Sequence, residues 1–312
     1  MLRYNWTHTD LYSPFPLYAK IEINGDCNLD CVICRRTQLP NRNQRMSLQQ
    51  FEIILQKMPS LVLWSPHGYN EPLLHPQFYD FIRLANKYNI LLVLVTNGTL
   101  LTPTETEKLL SLKPHKVRFS IDAIGKEYER IRQGASWEKV YHNVKYFAKR
   151  AKETGVDFYI YATIWEQNLT QIPQLIMLAT ELETRIAFTD ITYSNEYRES
   201  IEDHSIREHF DQTYYEQFIG PIKYYKDNPR VQWSLEKRSQ RSCTLPWAGV
   251  YIDVIGDIHP CTDNLQWTMG NIFTDDIQEV FNSERYRKFR LMSLDGSNAN
   301  CRKCVAWAPM KQ

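Results

Sequence analysis

The stretch "NGDCNLDCVICRRT", residues 24–37, places Cys27, Cys31 and Cys34 in the spacing C-x3-C-x2-C. No fourth cysteine is near, because the next one is Cys243. A structural zinc ion or an iron–sulfur cube ordinarily takes four protein ligands. The motif therefore leaves one ligand position to be explained. Immediately upstream, "LYAKIEI" (17–23) reads as a β-strand, so the three thiols sit on the loop after it. A zinc site of the three cysteines with His67 is a competing reading, although His67 lies at the end of the next strand.

Working outward, the chain alternates from residue 17 to about 192. Short runs rich in Val, Ile, Phe and Tyr read as strands at 17–23, 61–66, 90–97, 116–122, 156–164 and 185–192. Helical stretches lie between them. Ser47 with Gln50 forms a capping-box pattern, and Thr102-Pro103-Thr104-Glu105 supplies an N-cap, a first-turn proline and an acid. "SWEKVYHNVKYFAKRAKE" (136–153) and "NLTQIPQLIMLATELE" (168–183) are the two longest helical stretches. Strand–helix units in series specify a parallel sheet with right-handed crossovers. The six units fall short of a closed eight-unit barrel. The expected fold is α/β, a partial (β/α)6 TIM-like barrel with its site at the carboxyl ends of the strands.

Composition narrows the class further. Apolar residues make up 43% and charged residues 23%, as in an ordinary globular chain. The net charge of +1 gives no case for nucleic acid or an acidic membrane as partner. "MLRYNWTHTDLYSPFP" lacks the apolar core of a secretory signal, and "ILLVLV" (90–95) is too short to span a bilayer. A cytoplasmic, reducing setting is expected, where clustered cysteines read as metal ligands rather than disulfides.

The seven cysteines divide three and four: Cys27, Cys31 and Cys34, then Cys243, Cys261, Cys301 and Cys304. Residues 1–16 read as an N-terminal extension, 17–192 as the barrel, 193–242 as a polar helix-and-loop connector, and 243–312 as a small second module. In that module "GVYIDVIGDIHPC" (249–261) reads as a hairpin turning at Gly256-Asp257, and "DIQEVFNSERYRKFRLMS" (276–293) as a helix.

The cysteine loop and its companions resemble the radical S-adenosylmethionine (radical SAM) superfamily. In that family three cysteines so spaced hold three irons of a 4Fe–4S cluster, and SAM chelates the fourth. "GYNEPLLHP" (68–76) resembles the glycine-rich motif that holds the SAM amino group, through Gly68 and Glu71. Tyr69 and Asn70 stand where small residues are commoner, and Ile33 stands where an aromatic is common. "VTNGTLL" (95–101), with Asn97, resembles the end of the third strand. "FSIDA" (119–123) resembles the ribose-contacting segment, through Ser120 and Asp122. Arg132 in "YERIRQG" (128–134) resembles the arginine that meets the SAM carboxylate. "YATIWEQN" (161–168) resembles the adenine-contacting segment.

Downstream, the pattern C-x12-G-x4-C from Cys243 to Cys261, followed by Cys301-x2-Cys304, resembles a SPASM or twitch domain. The resemblance implies that these four cysteines hold one auxiliary 4Fe–4S cluster, so the cofactors are SAM and two such clusters. A four-cysteine zinc site is the competitor. The implied chemistry is reductive cleavage of SAM to a 5′-deoxyadenosyl radical that removes a substrate hydrogen atom.

All seven cysteines are committed to iron on this reading, so no thiol is spare to return a hydrogen atom. Net oxidation of a small natural-product-type molecule is therefore expected, with electron loss to the auxiliary cluster. The alternatives are a ribosomal-peptide maturase forming a C–S or C–C crosslink, a radical epimerase using a tyrosine donor, and a non-enzymatic electron-transfer protein. Only about sixteen residues precede the first strand, which favours a small molecule or short peptide. Implied partners are a flavodoxin- or ferredoxin-like reductant and, for a peptide substrate, a separate recognition protein. The sequence leaves the general base unassigned among Arg, Lys, Glu, Tyr and His67.

Overall fold

The computed structural model describes residues 12–41, 43–191, 229–234 and 243–304. Residues 1–11 of the N-terminal extension lie outside them, as do 193–228 and 235–242 of the connector. The first part contains β1 (Tyr18–Ile21), β2 (Asp30–Cys31), β3 (Leu63–Ser65), β4 (Leu91–Thr96), β5 (Lys116–Ser120), β6 (Arg132–Gln133), β7 (Asp157–Ile164) and β8 (Arg185–Asp190). Its helices are α1 (Leu48–Lys57), α2 (Phe78–Lys87), α3 (Pro103–Ser111), α4 (Gly125–Ile131), α5 (Trp137–Thr154) and α6 (Ile172–Glu181). Beyond them come β9 (Val231–Ser234), β10 (Gly249–Ile252), β11 (Asp257–His259) and β12 (Gly270–Asn271).

The six expected strands, β1, β3, β4, β5, β7 and β8, pair in that order and all in parallel. Their start signals work as read. Ser47 and Gln50 complete a reciprocal capping box on α1, and Thr102 caps α3 ahead of Pro103. The helix expected over 168–183 begins as α-helix only at Ile172, after a 3-10 turn over Glu166–Gln171. Pro173 is the reason: lacking an N–H, it fits the first helical turn and not the interior.

Three features differ from the sequence reading. First, the connector read as helix and loop contributes β9, which pairs in parallel with β8 in the register Ile186↔Val231. A four-residue strand has little periodicity of its own, so the partner edge decides its state. Second, the C-terminal hairpin joins the same sheet, because β10 pairs in parallel with β1 (Tyr18↔Gly249). That pairing covers the backbone donors and acceptors that β1 would expose as an edge strand. The result is one ten-stranded sheet, ordered β12-β11-β10-β1-β3-β4-β5-β7-β8-β9. Third, the helix expected over 276–293 is two helices, Ile277–Phe281 and Glu284–Asp295. Ser283 accepts from the Tyr286 N–H and so starts the second one.

The hairpin turns where expected, with Gly256 at φ +92°. Lys57 at the end of α1 fastens the C-terminal module by donating to the carbonyls of Ile272, Phe273 and Asp275.

Strand alternation sorts the side chains. Ala19, Ile21, Val117, Phe119, Phe158, Ile160 and Ala162 are buried under the helices in one core. Their neighbours along the same strands, including Lys20, Arg118, Ser120, Tyr161 and Thr163, face the other way and line a cavity. No helix among the described residues is long and apolar enough to cross a membrane.

Candidate active site

The first cysteine loop is pinned by a small antiparallel bridge, β2 to β6, in which Cys31 stands opposite Arg132. The Val32 N–H donates to the Ile131 carbonyl at 2.9 Å, and the Cys34 N–H to the Cys31 carbonyl at 3.0 Å. Cys27, Cys31 and Cys34 line one cavity of about 260 Å³. Five residues expected to contact SAM line it with them: Gly68, Glu71, Asn97, Ser120 and Arg132. Ile33 packs there as well. Burial pushes the thiols of Cys27 up to about 11 and Cys31 up to about 12, so binding of metal must displace protons.

The sixth expected contact, Asp122, lies beneath the cavity at 1% side-chain exposure. Its Oδ2 sits 2.7 Å from the Arg132 guanidinium, and its Oδ1 accepts from the Thr163 N–H at 2.8 Å. The contact with Arg132 is an ion pair without hydrogen-bond alignment, since neither Asp122 Oδ2 nor Arg132 Nε has a hydrogen-bond partner. Arg132 lines the cavity beside the three thiols, with Nη1 3.9 Å from Cys31 Sγ, a placement that suits a ligand carrying a carboxylate next to a metal cluster. The residues present therefore fit the cluster and its SAM.

Glu71 is wholly buried. Its carboxylate accepts from Thr96 Oγ1 at 2.9 Å and from the Asn97 N–H at 2.8 Å, tying the "GYNEP" loop to the end of β4. Asn97 in turn donates from Nδ2 to Asn28 in the cysteine loop. These two side chains are thus engaged in holding the cavity wall.

Glu22, just after β1, was not legible as a site residue. Its carboxylate accepts from the Tyr69 N–H (3.0 Å) and from Tyr251 Oη (2.9 Å). A Cβ on Gly68 would lie 2.6 Å from Glu22 Oε1 and 2.7 Å from the Tyr251 oxygen, which explains a glycine there. Burial raises both Glu22 and Glu71 to about 7. The folded state therefore binds protons more tightly than the unfolded chain, whose carboxyls titrate near 4.5. The contribution of these two groups to stability is full below that lower value and is lost as pH rises through 7, by about 3 kcal/mol at most per group. Glu22→Gln keeps the acceptor oxygen and should remove about half of this fall, read as thermal midpoints between about pH 5 and pH 8. An unchanged pH slope would show that the Glu22 carboxyl titrates normally.

The second cluster assembles across the sheet extension. Cys243, Cys261, Cys301 and Cys304 line a cavity of about 380 Å³. Asn264 Nδ2 donates to Cys261 Sγ at 3.3 Å and to Cys301 Sγ at 3.8 Å. Such N–H donors stabilise anionic sulfur and tune iron–sulfur centres. Burial pushes the Cys261 thiol up to about 12.

This cavity and the first share seven lining residues, among them His67, Tyr69, Ser120, Arg132 and Thr163. Arg35, the residue after Cys34, bridges the two cysteine groups. It is 3% exposed, pairs with Asp263 at 3.1 Å, donates to the Thr262 carbonyl at 3.2 Å and to Tyr69 Oη, and stacks on the Tyr69 ring at 5.0 Å. Neither Arg35 nor Asn264 carries a signal in the sequence beyond its nearness to a cysteine.

His67 also becomes interpretable. Ser65 Oγ donates its hydrogen to the Val93 carbonyl, so it accepts from His67 Nδ1. That assignment leaves Nε2 of the neutral ring with a lone pair. Burial, then Lys20 and Arg118, hold His67 well below its usual titration range.

Comparison with known proteins bears on these residues. Residues 21–165 match the model of the radical SAM superfamily, and 243–305 match that of the iron–sulfur cluster-binding SPASM domain. The tungsten-containing aldehyde ferredoxin oxidoreductase cofactor-modifying protein of Pyrococcus furiosus is 24% identical, over 92% of this chain and 86% of the relative. The antilisterial bacteriocin subtilosin biosynthesis protein AlbA of Bacillus subtilis is also 24% identical, over 93% of this chain and 65% of the relative. The crystal structure of Streptococcus suis SuiB bound to precursor peptide SuiA superposes with a TM-score of 0.71 at 19% identity, covering 94% of this chain and 70% of that one. Both family models fall on the two cysteine groups that the fold brings to adjoining cavities, and the chain belongs to the radical SAM superfamily, with SAM and iron–sulfur clusters as cofactors and a SPASM domain at its C-terminal end.

Proposed function

We propose that the protein oxidises a substrate held between the two cysteine clusters. The observation that carries this reading is the adjacency of the two cavities, which share a wall that includes His67, Tyr69, Ser120 and Arg132, one holding Cys27, Cys31 and Cys34 and the other all four C-terminal cysteines. When bound, the first cluster and SAM supply reductive cleavage and hydrogen-atom abstraction. The chain's residues do the rest. Cys27, Cys31 and Cys34 would hold three irons, and the Arg132 guanidinium that lines the same cavity would meet the SAM carboxylate. Cys243, Cys261, Cys301 and Cys304 would hold a fully ligated second 4Fe–4S cluster, positioned to take up the electron lost by the substrate.

Net oxidation also needs a proton acceptor, and His67 meets the requirement. It is neutral, lines both cavities, and carries the free lone pair on Nε2. A positioned general base contributes about 10²–10⁴-fold. His67→Gln should therefore leave SAM cleavage in place while substrate oxidation falls by about 10²-fold or more. Equal oxidation rates in the two proteins would remove His67 from the mechanism.

A peptide is the substrate class favoured over an isolated small molecule. AlbA is named for bacteriocin biosynthesis, and SuiB has been crystallised on a precursor peptide. A cavity of about 380 Å³ admits a side chain or two as readily as a small molecule.

Anaerobic reconstitution tests the whole reading. About eight irons per chain are expected, with 5′-deoxyadenosine formed under reducing conditions. Product should be two hydrogens lighter than substrate, with SAM consumed one for one. Solvent deuterium at the attacked carbon would indicate epimerisation instead.

A further inference from the structure

Two cations face the larger cavity, Lys20 from β1 and Arg118 from β5. Arg118 is fixed in place. Its Nε donates to Tyr159 Oη at 2.7 Å, and its guanidinium carbon lies 4.5 Å from the Tyr161 ring centroid and 5.3 Å from that of Tyr159. Among the described residues its two terminal nitrogens make no hydrogen bond or ion pair, and neither is sealed from open space. Lys20 Nζ has one hydrogen bond, to Thr262 Oγ1 at 3.3 Å.

The carboxylates nearby are already engaged. Asp263 is paired with Arg35, and Asp122 with Arg132. His67, held neutral, adds no charge. Arg118 thus has no carboxylate partner among the described residues, whereas burial lowers the Lys20 ammonium below its usual range and Asp263, already paired with Arg35, only partly offsets this. Leaving cations half-desolvated and unpaired is costly, and an anionic ligand recovers that cost.

The geometry narrows the anion. An arginine clamped at Nε, with both terminal N–H groups free, presents a flat fork to two coplanar oxygens. Arg118 lies two residues before Ser120 on the same face of β5, so its Cα sits about 7 Å along the strand from that of Ser120, which lines the cysteine cavity. An acid bound there would place a carbon a few bonds away near Ser120.

We propose that the substrate is anchored by a carboxylate, gripped by the Arg118 fork with Lys20 supplying the second charge. This rests on the reading of the cavity as the substrate site, and it makes the substrate class an acidic peptide residue or a peptide C-terminus. The competing role for Lys20 is to offset the charge of the second cluster, since Cys261 and Cys304 lie close to it.

The test uses the anaerobic holoprotein with SAM bound and four probes in ligand-observed NMR titrations. N-acetylglutamic acid α-amide carries only the side-chain carboxylate, and N-acetylglutamine only the terminal one. N-acetylglutamine amide carries neither, and inorganic phosphate is the fourth. At least one acid should bind about ten-fold tighter than the neutral amide, and whichever acid wins identifies the source of the carboxylate. Arg118→Gln and Lys20→Gln should each weaken that acid by about ten-fold.

No preference for the acids over the neutral amide, including no binding by any probe, overturns the proposal. So does tighter binding of phosphate than of either acid. Lys20→Gln that shifts the potential of the second cluster while probe binding stays the same overturns the assignment of Lys20. SAM cleavage measured on the same preparation keeps the two questions apart, because its absence would count against the proposed function and not against the carboxylate site.

Discussion

Replacing Cys27, Cys31 and Cys34 together with alanine is expected to abolish 5′-deoxyadenosine formation and to lower the iron content from about eight to about four per chain. The two effects separate because the cysteine groups are built on different elements. The first group hangs on the loop after β1, pinned by the β2–β6 bridge through backbone hydrogen bonds that alanine retains. The second is set by the hairpin and the C-terminal helices, with Asn264 donating to two of its sulfurs. Alanine removes the thiolates but leaves the loop's backbone ladder, so the fold should survive. Iron analysis and chromatography of the reaction mixture give the answer. Retained SAM cleavage would place the chemistry elsewhere, and loss of all iron would mean that the two sites do not load independently.

The second large effect is expected at Asp122. Asp122→Ala should destabilise the protein by about 3–5 kcal/mol, because it leaves the Arg132 guanidinium buried without its counterion. The side chains are 1% and 11% exposed, so solvent cannot replace the missing carboxylate. Burial opposes the Arg132 charge, and Asp122 foremost, with Cys31 and Tyr128, together outweigh it and hold the guanidinium above its usual range. Burial likewise lifts the Asp122 carboxyl, against the pull of Arg132.

Asp122 also accepts from the Thr163 N–H, so its loss frees both Arg132 and the end of β7. SAM affinity should drop by about 10–100-fold, as for other partners that orient a binding group without touching the ligand. Asp122→Asn keeps the acceptor for Thr163 and should lose affinity with less loss of stability. Chemical denaturation and SAM binding on the two variants check this. Equal SAM affinity in all three proteins would show that Arg132 does not depend on Asp122 for its position.

Much of this architecture was legible in the sequence. Six strands, their parallel order and several helix starts follow from local signals, because strand alternation and caps such as Ser47 and Thr102 act over a few residues. The break at Ser283 was missed, although an N-cap serine is a local signal, because core apolar residues stand on both sides of it, at Val280 and Phe281 and again at Tyr286 and Phe289. β9 was missed for a different reason, since the alternation of Val231-Gln232-Trp233-Ser234 lasts only four residues within a polar stretch and β8 supplies the partner.

The division at the site is similar. The cysteine spacings and the order of Gly68, Glu71, Asn97, Ser120, Asp122 and Arg132 were readable along the chain. Their roles were not, because a role depends on what else a side chain touches. Glu71 is bonded to Thr96 and Asn97, and Asp122 lies under Arg132 rather than on the cavity wall.

The sequence by itself determined that three cysteines stand without a fourth, that four more stand together, and that a parallel β/α chain carries them. Only the tertiary structure decided that the two groups open onto adjoining cavities with a shared wall. The pairing of β10 with β1 folds the C-terminal hairpin against the first strand, and Arg35 then reaches Asp263 across 228 positions of chain. A contact of that span leaves no trace in local periodicity, because its partners are chosen by an exposed sheet edge and a buried charge, and neither exists until the barrel has formed.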